Sequence, residues 1–302
     1  MTETGSMTCY RHQGVAAGVV CTRCHRPICP ACMVDAAVGF QCPECTKKGA
    51  RETRQGILPY GGHPSRDPRL TSIVLIVINI AVFLMTSRST SLFNQLALVP
   101  RGVCLDVNDP GSYYPGFLKA ACVANGYNWV AGVSSGAWWQ VVTSAFTHLN
   151  LVHIGLNMVS LFIIGPLLER VLGRTRFLAV YGIAALAGSA GVMWLTSPET
   201  SGVGASGALF GVLGAILVLT YRAKGRYQQI LIILGINIAY DMFYLGTISW
   251  QAHLGGLVAG LLAGWIIAYA PRERRHQVQL YGLSALTVVI IAAIVAKSLL
   301  LG

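Results

Sequence analysis

The sequence predicts an all-α polytopic membrane protein preceded by a small cysteine-rich module. Three observations carry that reading. The 302 residues are 54% hydrophobic and only 11% charged, whereas a soluble domain carries roughly 25% charge. Apolar runs close to the ~20 residues that span a bilayer recur along the chain. Seven of the nine cysteines lie before residue 46, apart from every apolar run. The net charge of +11 is distributed between the runs, so it belongs to membrane topology and not to nucleic-acid binding. The first twenty residues lack an apolar core, and no secretory leader is expected.

The first segment reads Cys9-x2-His12, Cys21-x2-Cys24, Cys29-x2-Cys32 and Cys42-x2-Cys45. Eight soft ligands on four tight knuckles suit two tetrahedral zinc ions. A segment this short has too little apolar mass to fold unaided. A disulfide cluster would require an oxidising compartment instead. His25, beside Cys24, reads as a surface residue. The spacing resembles a B-box-type zinc finger, in which alternate pairs share an ion. That resemblance implies one ion on Cys9, His12, Cys29 and Cys32, and another on Cys21, Cys24, Cys42 and Cys45. Such a module usually binds a protein partner, whose identity the sequence does not give.

Residues 51–70 form a basic, Pro- and Gly-punctuated linker expected to lie on the membrane surface, after a module spanning 1–50. Seven apolar segments follow, at 71–86, 141–168, 176–196, 205–221, 228–247, 251–270 and 279–301. Arg170, Arg174 and Arg176 separate the second and third. Arg222, Lys224 and Arg226 follow the fourth, and Arg272, Arg274 and Arg275 follow the sixth. The connections after the third and fifth carry no Lys or Arg. The positive-inside rule therefore predicts a cytoplasmic N-terminus and an extracytoplasmic C-terminus in the cell membrane. It keeps the cysteine-rich module in a reducing compartment. The first connection, about 87–140, is long and lies outside on this topology. Its Cys104 and Cys122 are either a disulfide or two free thiols.

Polar groups inside membrane spans are expensive and mark function. His148, His153 and Asn157 fall early in the second span, Ser206 opens the fourth, and His253 opens the sixth. All three spans enter from the same side, so these groups share a shallow depth. Ser and Gly also serve close helix packing, and Ser206 alone decides nothing. The common depth of two histidines, an asparagine and a serine does. His153 and Asn157 are four apart and share a helix face, while a continuous helix would point His148 away. His253 shares a face with Gly256 and Gly260, and the fourth span presents Gly207 and Gly211. Two glycine-lined helices bring Ser206 within reach of His253. A serine needs such a base to become a nucleophile, and His153 and Asn157 are able to serve as oxyanion donors. Asp241, late in the fifth span, stands at no helical spacing from a histidine and reads as structural.

The pieces His148-x4-His153-x3-Asn157, Gly204-Ala205-Ser206-Gly207 and Ala252-His253-x2-Gly256-x3-Gly260 resemble the rhomboid family of intramembrane serine proteases. The resemblance covers residues 71–270, about two thirds of the chain. It implies a six-helix core, with 271–302 as an additional C-terminal helix. It also implies a Ser–His dyad of Ser206 and His253, with the oxyanion held by His153, Asn157 and the Ser206 amide. Phe210 matches an aromatic position that packs on the base, and His148 matches a structural histidine that pins the first loop. The family's Trp-Arg pair is Trp139-Gln140 here, a departure that bears on how that loop is anchored and not on the chemistry. The expected substrates are single-span membrane proteins cut near their outer ends, within the lipid bilayer and without a catalytic cofactor.

Overall fold

The computed structural model describes residues 7–52, 56–108, 112–243 and 249–302. It divides into two units, Met1–Gly56 and Ile57–Gly302.

The first unit holds two antiparallel hairpins of two-residue strands, β1 (Val19–Val20) with β2 (Pro27–Ile28) and β3 (Val34–Asp35) with β4 (Phe40–Gln41). Helix α1 (Pro43–Glu52) follows. Its buried cluster consists of the cysteines with Ala17 and Ile28. A core made largely of thiols is what a short segment with few large apolar side chains must use.

The second unit is helical. Helix α2 (Leu70–Thr86) leads into a first loop region built from α3 (Thr90–Leu96), β5 (Gly102–Leu105), α4 (Lys119–Ala124), β6 (Asn128–Ala131) and α5 (Gln140–Thr143). Then come α6 (Leu151–Leu172), α7 (Arg174–Leu195), α8 (Ser206–Arg222), α9 (Tyr227–Phe243), α10 (Trp250–Tyr269) and α11 (Arg275–Leu301). Helices α6, α7, α10 and α11 are long and apolar enough to cross a membrane, and α2 and α8 are shorter apolar helices. The last residues expected of the fifth span, 244–248, lie outside the described residues.

The second span differs from its expected limits of 141–168. A short helix and a turn occupy 140–146, and α6 begins only at Leu151. Asn150 caps it, its side-chain oxygen accepting from the His153 N–H at 2.9 Å, the standard way to satisfy an orphan donor. His148 therefore sits in the loop ahead of the helix. Helix α8 has 17 residues against 22 in α6 and α7, about 26 Å against about 33 Å. The segment approaching it is satisfied by protein: Leu98 and Gly202 exchange backbone hydrogen bonds, and the Gly204 N–H donates to Ser144 O at 2.9 Å.

The basic linker is not a free surface tether over its whole length. Gly62 lies against Leu172 O, Gly173 against His63 O, and Gln279 Nε2 donates to Tyr60 O at 3.1 Å. Residues 57–70 thus strap the ends of α6, α7 and α11. Helix α11 also packs on α7, where Trp194 Nε1 donates to Ala293 O at 2.9 Å.

Two features hold the first loop. Cys104 and Cys122 are disulfide-bonded, and Gln140, fully buried, anchors the loop from the helical side. Its Oε1 accepts from Val99 N–H at 3.1 Å, and its Nε2 donates to Ala131 O at 2.9 Å. Trp139 Nε1 donates to Gln95 O at 2.8 Å. The departure from Trp-Arg does not cost the anchor, because an amide supplies both a donor and an acceptor where the backbone offers both.

Candidate active site and metal centres

The N-terminal ends of α6, α8 and α10 gather at one place. Ser206 is the first residue of α8, His253 the fourth of α10, and His153 the third of α6. Helices α8 and α10 approach so closely that a Cβ on Gly256 would stand 1.9 Å from Gly207 O, and one on Gly260 2.0 Å from Gly211 O. Only glycine permits this. The approach sets His253 Nε2 2.7 Å from Ser206 Oγ. Phe210, one turn into α8, stacks on the His253 ring at 4.2 Å between centroids and 12° between planes.

On the other side of the ring, His253 Nδ1 lies 2.6 Å from Asp241 Oδ2. Asp241, read from the sequence as structural and unlinked to a histidine, thus meets the ring of His253. The two stand twelve positions apart on different helices, so no helical period links them; α9 and α10 bring them together. A carboxylate only accepts, so Nδ1 carries the ring proton and Nε2 presents its lone pair to the serine hydroxyl. Asp241 and His253 are both buried, at 7% and 8% exposure. Beside them opens a cavity of about 360 Å³ lined by Phe210, Asp241, Met242, Trp250 and His253 among others.

His153 and Asn157 face the same region. A Cβ on Gly204 would meet His153 Nε2 at 2.7 Å, and Gly204 has φ +119°, a backbone region that disfavours side chains. His153 Nδ1 takes a long contact from Leu149 N–H at 3.5 Å, which leaves Nε2 as the protonated nitrogen. Asn157 Nδ2 donates one hydrogen to His153 O at 2.8 Å and keeps a second, while its buried Oδ1 has no hydrogen-bond partner among the described residues. His148, expected to point away from His153, instead meets the His153 ring edge-on at 5.1 Å. Its Nε2 accepts from Ala205 N–H at 3.5 Å, so it supports the segment entering α8. Its place in a loop, not a helix, accounts for the difference.

In the N-terminal unit, Cys9, His12, Cys29 and Cys32 form one cluster, and Cys21, Cys24, Cys42 and Cys45 another. Within each, the ligand atoms all lie within 4.8 Å of one another. His25 belongs to neither set. All seven cysteines are free thiols. Cys45 is pushed up to about 12 by burial and then by its neighbouring thiols. Cys9 lies near about 6, because backbone hydrogen bonds outweigh the opposing effect of burial. Thiols crowded enough to resist ionising together are relieved by a cation at their centre, so both donor sets fit a metal ion.

A serine hydroxyl hydrogen-bonded to a histidine ring, at the gathered ends of apolar helices, is an arrangement that suits a serine-type hydrolase working within a membrane. The comparisons agree. The Rhomboid domain model matches residues 135–270. A Bacillus subtilis protein provisionally named the rhomboid protease YdcA is 36% identical over 156 residues, covering 50% of this chain and 76% of that protein. The Bacillus subtilis rhomboid protease GluP is 33% identical over 136 residues, 43% of this chain and 26% of its own. The mitochondrial Rhomboid protein 1 of Saccharomyces cerevisiae is 34% identical over 153 residues, 46% and 44% of the two chains. The chain thus spans less than half the length of the last two. It belongs to the rhomboid family of intramembrane serine proteases and is an integral, multi-pass membrane protein.

Proposed function

We propose that the protein is an endopeptidase that cleaves single-span membrane proteins near the extracytoplasmic side, with Ser206 as nucleophile and His253 as base. The 2.7 Å contact between Ser206 Oγ and His253 Nε2 carries this reading. Ser206 Oγ attacks the scissile carbonyl as its proton passes to His253 Nε2. Negative charge gathers on the carbonyl oxygen, where His153 Nε2–H, the second hydrogen of Asn157 Nδ2 and the Ser206 backbone N–H act as donors. His253 then gives its proton to the leaving amine, and an acyl-enzyme remains on Ser206. A water molecule, deprotonated by His253, releases the acid and restores the hydroxyl. Ser206 is only half-buried, and the His253 that contacts it lines an open cavity, which supports access for both the carbonyl and water.

Cys9, His12, Cys29 and Cys32 would hold one zinc ion, and Cys21, Cys24, Cys42 and Cys45 a second. Zinc bound there supplies folding energy and no catalysis. The charge pattern of the connections favours a cytoplasmic N-terminus in the cell membrane, with the metal module free to take a protein partner. The test of the enzyme is cleavage of a single-span reporter in liposomes. Ser206→Ala and His253→Ala should each abolish it, and the double variant should be scarcely worse, since the pair acts as a unit. Undiminished cleavage by Ser206→Ala would remove the protease reading.

A further inference from the structure

We propose that Asp241 is a positioning residue for the hydrolysis, extending the Ser206–His253 pair into a hydrogen-bonded triad. The proposal rests on the reading of Ser206 as nucleophile and His253 as base.

Asp241 is the sole acidic residue of α9, in a helix that otherwise reads Tyr-Gln-Gln followed by a nearly continuous apolar run. A carboxylate at such a place is costly and is kept where it has work with a partner. Its Oδ2 lies 2.6 Å from His253 Nδ1, a short contact of the charge-assisted kind. The serine hydroxyl sits 2.7 Å from the opposite ring nitrogen. Carboxylate, imidazole and hydroxyl thus form a continuous chain.

Phe210 alone cannot supply that order. A stack at 12° between planes fixes the tilt of the imidazole but is indifferent to a half-turn about Cβ–Cγ, which leaves the ring in the same plane. Such a half-turn would carry Nε2 away from Ser206. A carboxylate on Nδ1 removes the degeneracy: it accepts only a protonated nitrogen, so it selects both the ring orientation and the tautomer. When His253 takes the serine's proton, the carboxylate also faces the imidazolium across the ring, in surroundings that lend little screening. Because Asp241 comes from α9 and His253 from α10, the placement of α9 sets the base. Leu234 of α9, packed with Phe210 and Leu213 of α8, holds that placement.

The experiment compares parent, Asp241→Asn, Asp241→Ala and Ser206→Ala proteins in liposomes. It measures kcat and KM on a single-span reporter, thermal unfolding, and the response of kcat to added formate. In a Ser-His-Asp protease the corresponding Asp→Asn change lowers kcat about 10⁴-fold with the geometry intact. Here Asp241→Asn should lose more than about tenfold in kcat with KM held within about twofold, the split expected of a role in the chemical step. It should unfold at the parental temperature. Asp241→Ala should be at least as slow and should regain part of its kcat with formate, which the adjoining cavity of about 360 Å³ can admit. A merely structural carboxylate would give neither signature. A kcat within tenfold of the parent in Asp241→Asn would overturn the proposal, as would an Asp241→Ala protein that is folded, slow and unmoved by formate. Either result with Ser206→Ala inactive leaves the protease reading intact; an active Ser206→Ala removes that reading itself.

Discussion

Gly260→Ala gives the sharpest test of how the helices assemble the site. The added Cβ would stand 2.0 Å from Gly211 O, 2.4 Å from its Cα and 2.5 Å from its C. All three atoms are backbone, so no side chain is available to move aside. Ordinary contact begins near 3.4 Å, and α8 and α10 must therefore part by about 1.4 Å. Gly260 lies seven residues after His253 on the same face, and Gly211 five after Ser206. A rigid separation of that size would take the Ser206–His253 contact from 2.7 Å to about 4 Å, beyond hydrogen-bond reach. Misplacement by ~1 Å costs on the order of 10²-fold in rate, and overpacking costs roughly 1–3 kcal/mol of stability. Gly182→Ala in α7 is the control, since a Cβ there meets nothing within 4 Å. Reporter cleavage in liposomes and thermal unfolding, measured on both variants, should show Gly260→Ala slow and less stable and Gly182→Ala close to the parent. Parental cleavage by Gly260→Ala would refute the claim that the glycine contact sets the distance.

The two metal clusters should bind zinc independently: elemental analysis of the reduced protein should find about two ions per chain, and Cys42→Ser should lose one of them. Finding none in the parent would contradict the ligand assignment. Because the core's active residues come wholly from the second unit, deletion of residues 1–50 should leave reporter cleavage in detergent near the parental rate. The Cys104–Cys122 bridge, with a sequence separation of 18, should contribute about 3 kcal/mol by constraining the unfolded chain. Cys104→Ser should accordingly lower the unfolding temperature, and differential alkylation of protein from an oxidising envelope should find neither thiol free.

Much of this was legible in the sequence where the signal is local or periodic. Apolar runs near the length of a bilayer placed the spans, and the pairs at x2 spacing marked the knuckles. The grouping of Ser206, His153, Asn157 and His253 followed from depth along their spans. What escaped has a common physical character. The start of the second span was misjudged because 141–149 is apolar enough to pass for helix. Asn150 ahead of His153 was the available sign of a cap. The docking of 57–70 rests on backbone approaches at Gly62 and Gly173, which leave no period to read. Gln140 replaces an arginine of the family pattern, but the loop needs a donor and an acceptor, which an amide supplies. Asp241 gives no periodic signal because its partner stands on another helix. The expense of a carboxylate in an apolar span is the one sequence signal that marks it.

The central claim is that Ser206 is the nucleophile, and covalent labelling tests it most directly. The protein in liposomes is treated with a fluorophosphonate, digested, and mapped by mass spectrometry. The account predicts a single adduct on Ser206 Oγ, formed in step with loss of reporter cleavage, absent from Ser206→Ala and strongly slowed in His253→Ala. An adduct of equal yield in Ser206→Ala, or cleavage that persists in protein fully labelled at Ser206, would contradict it.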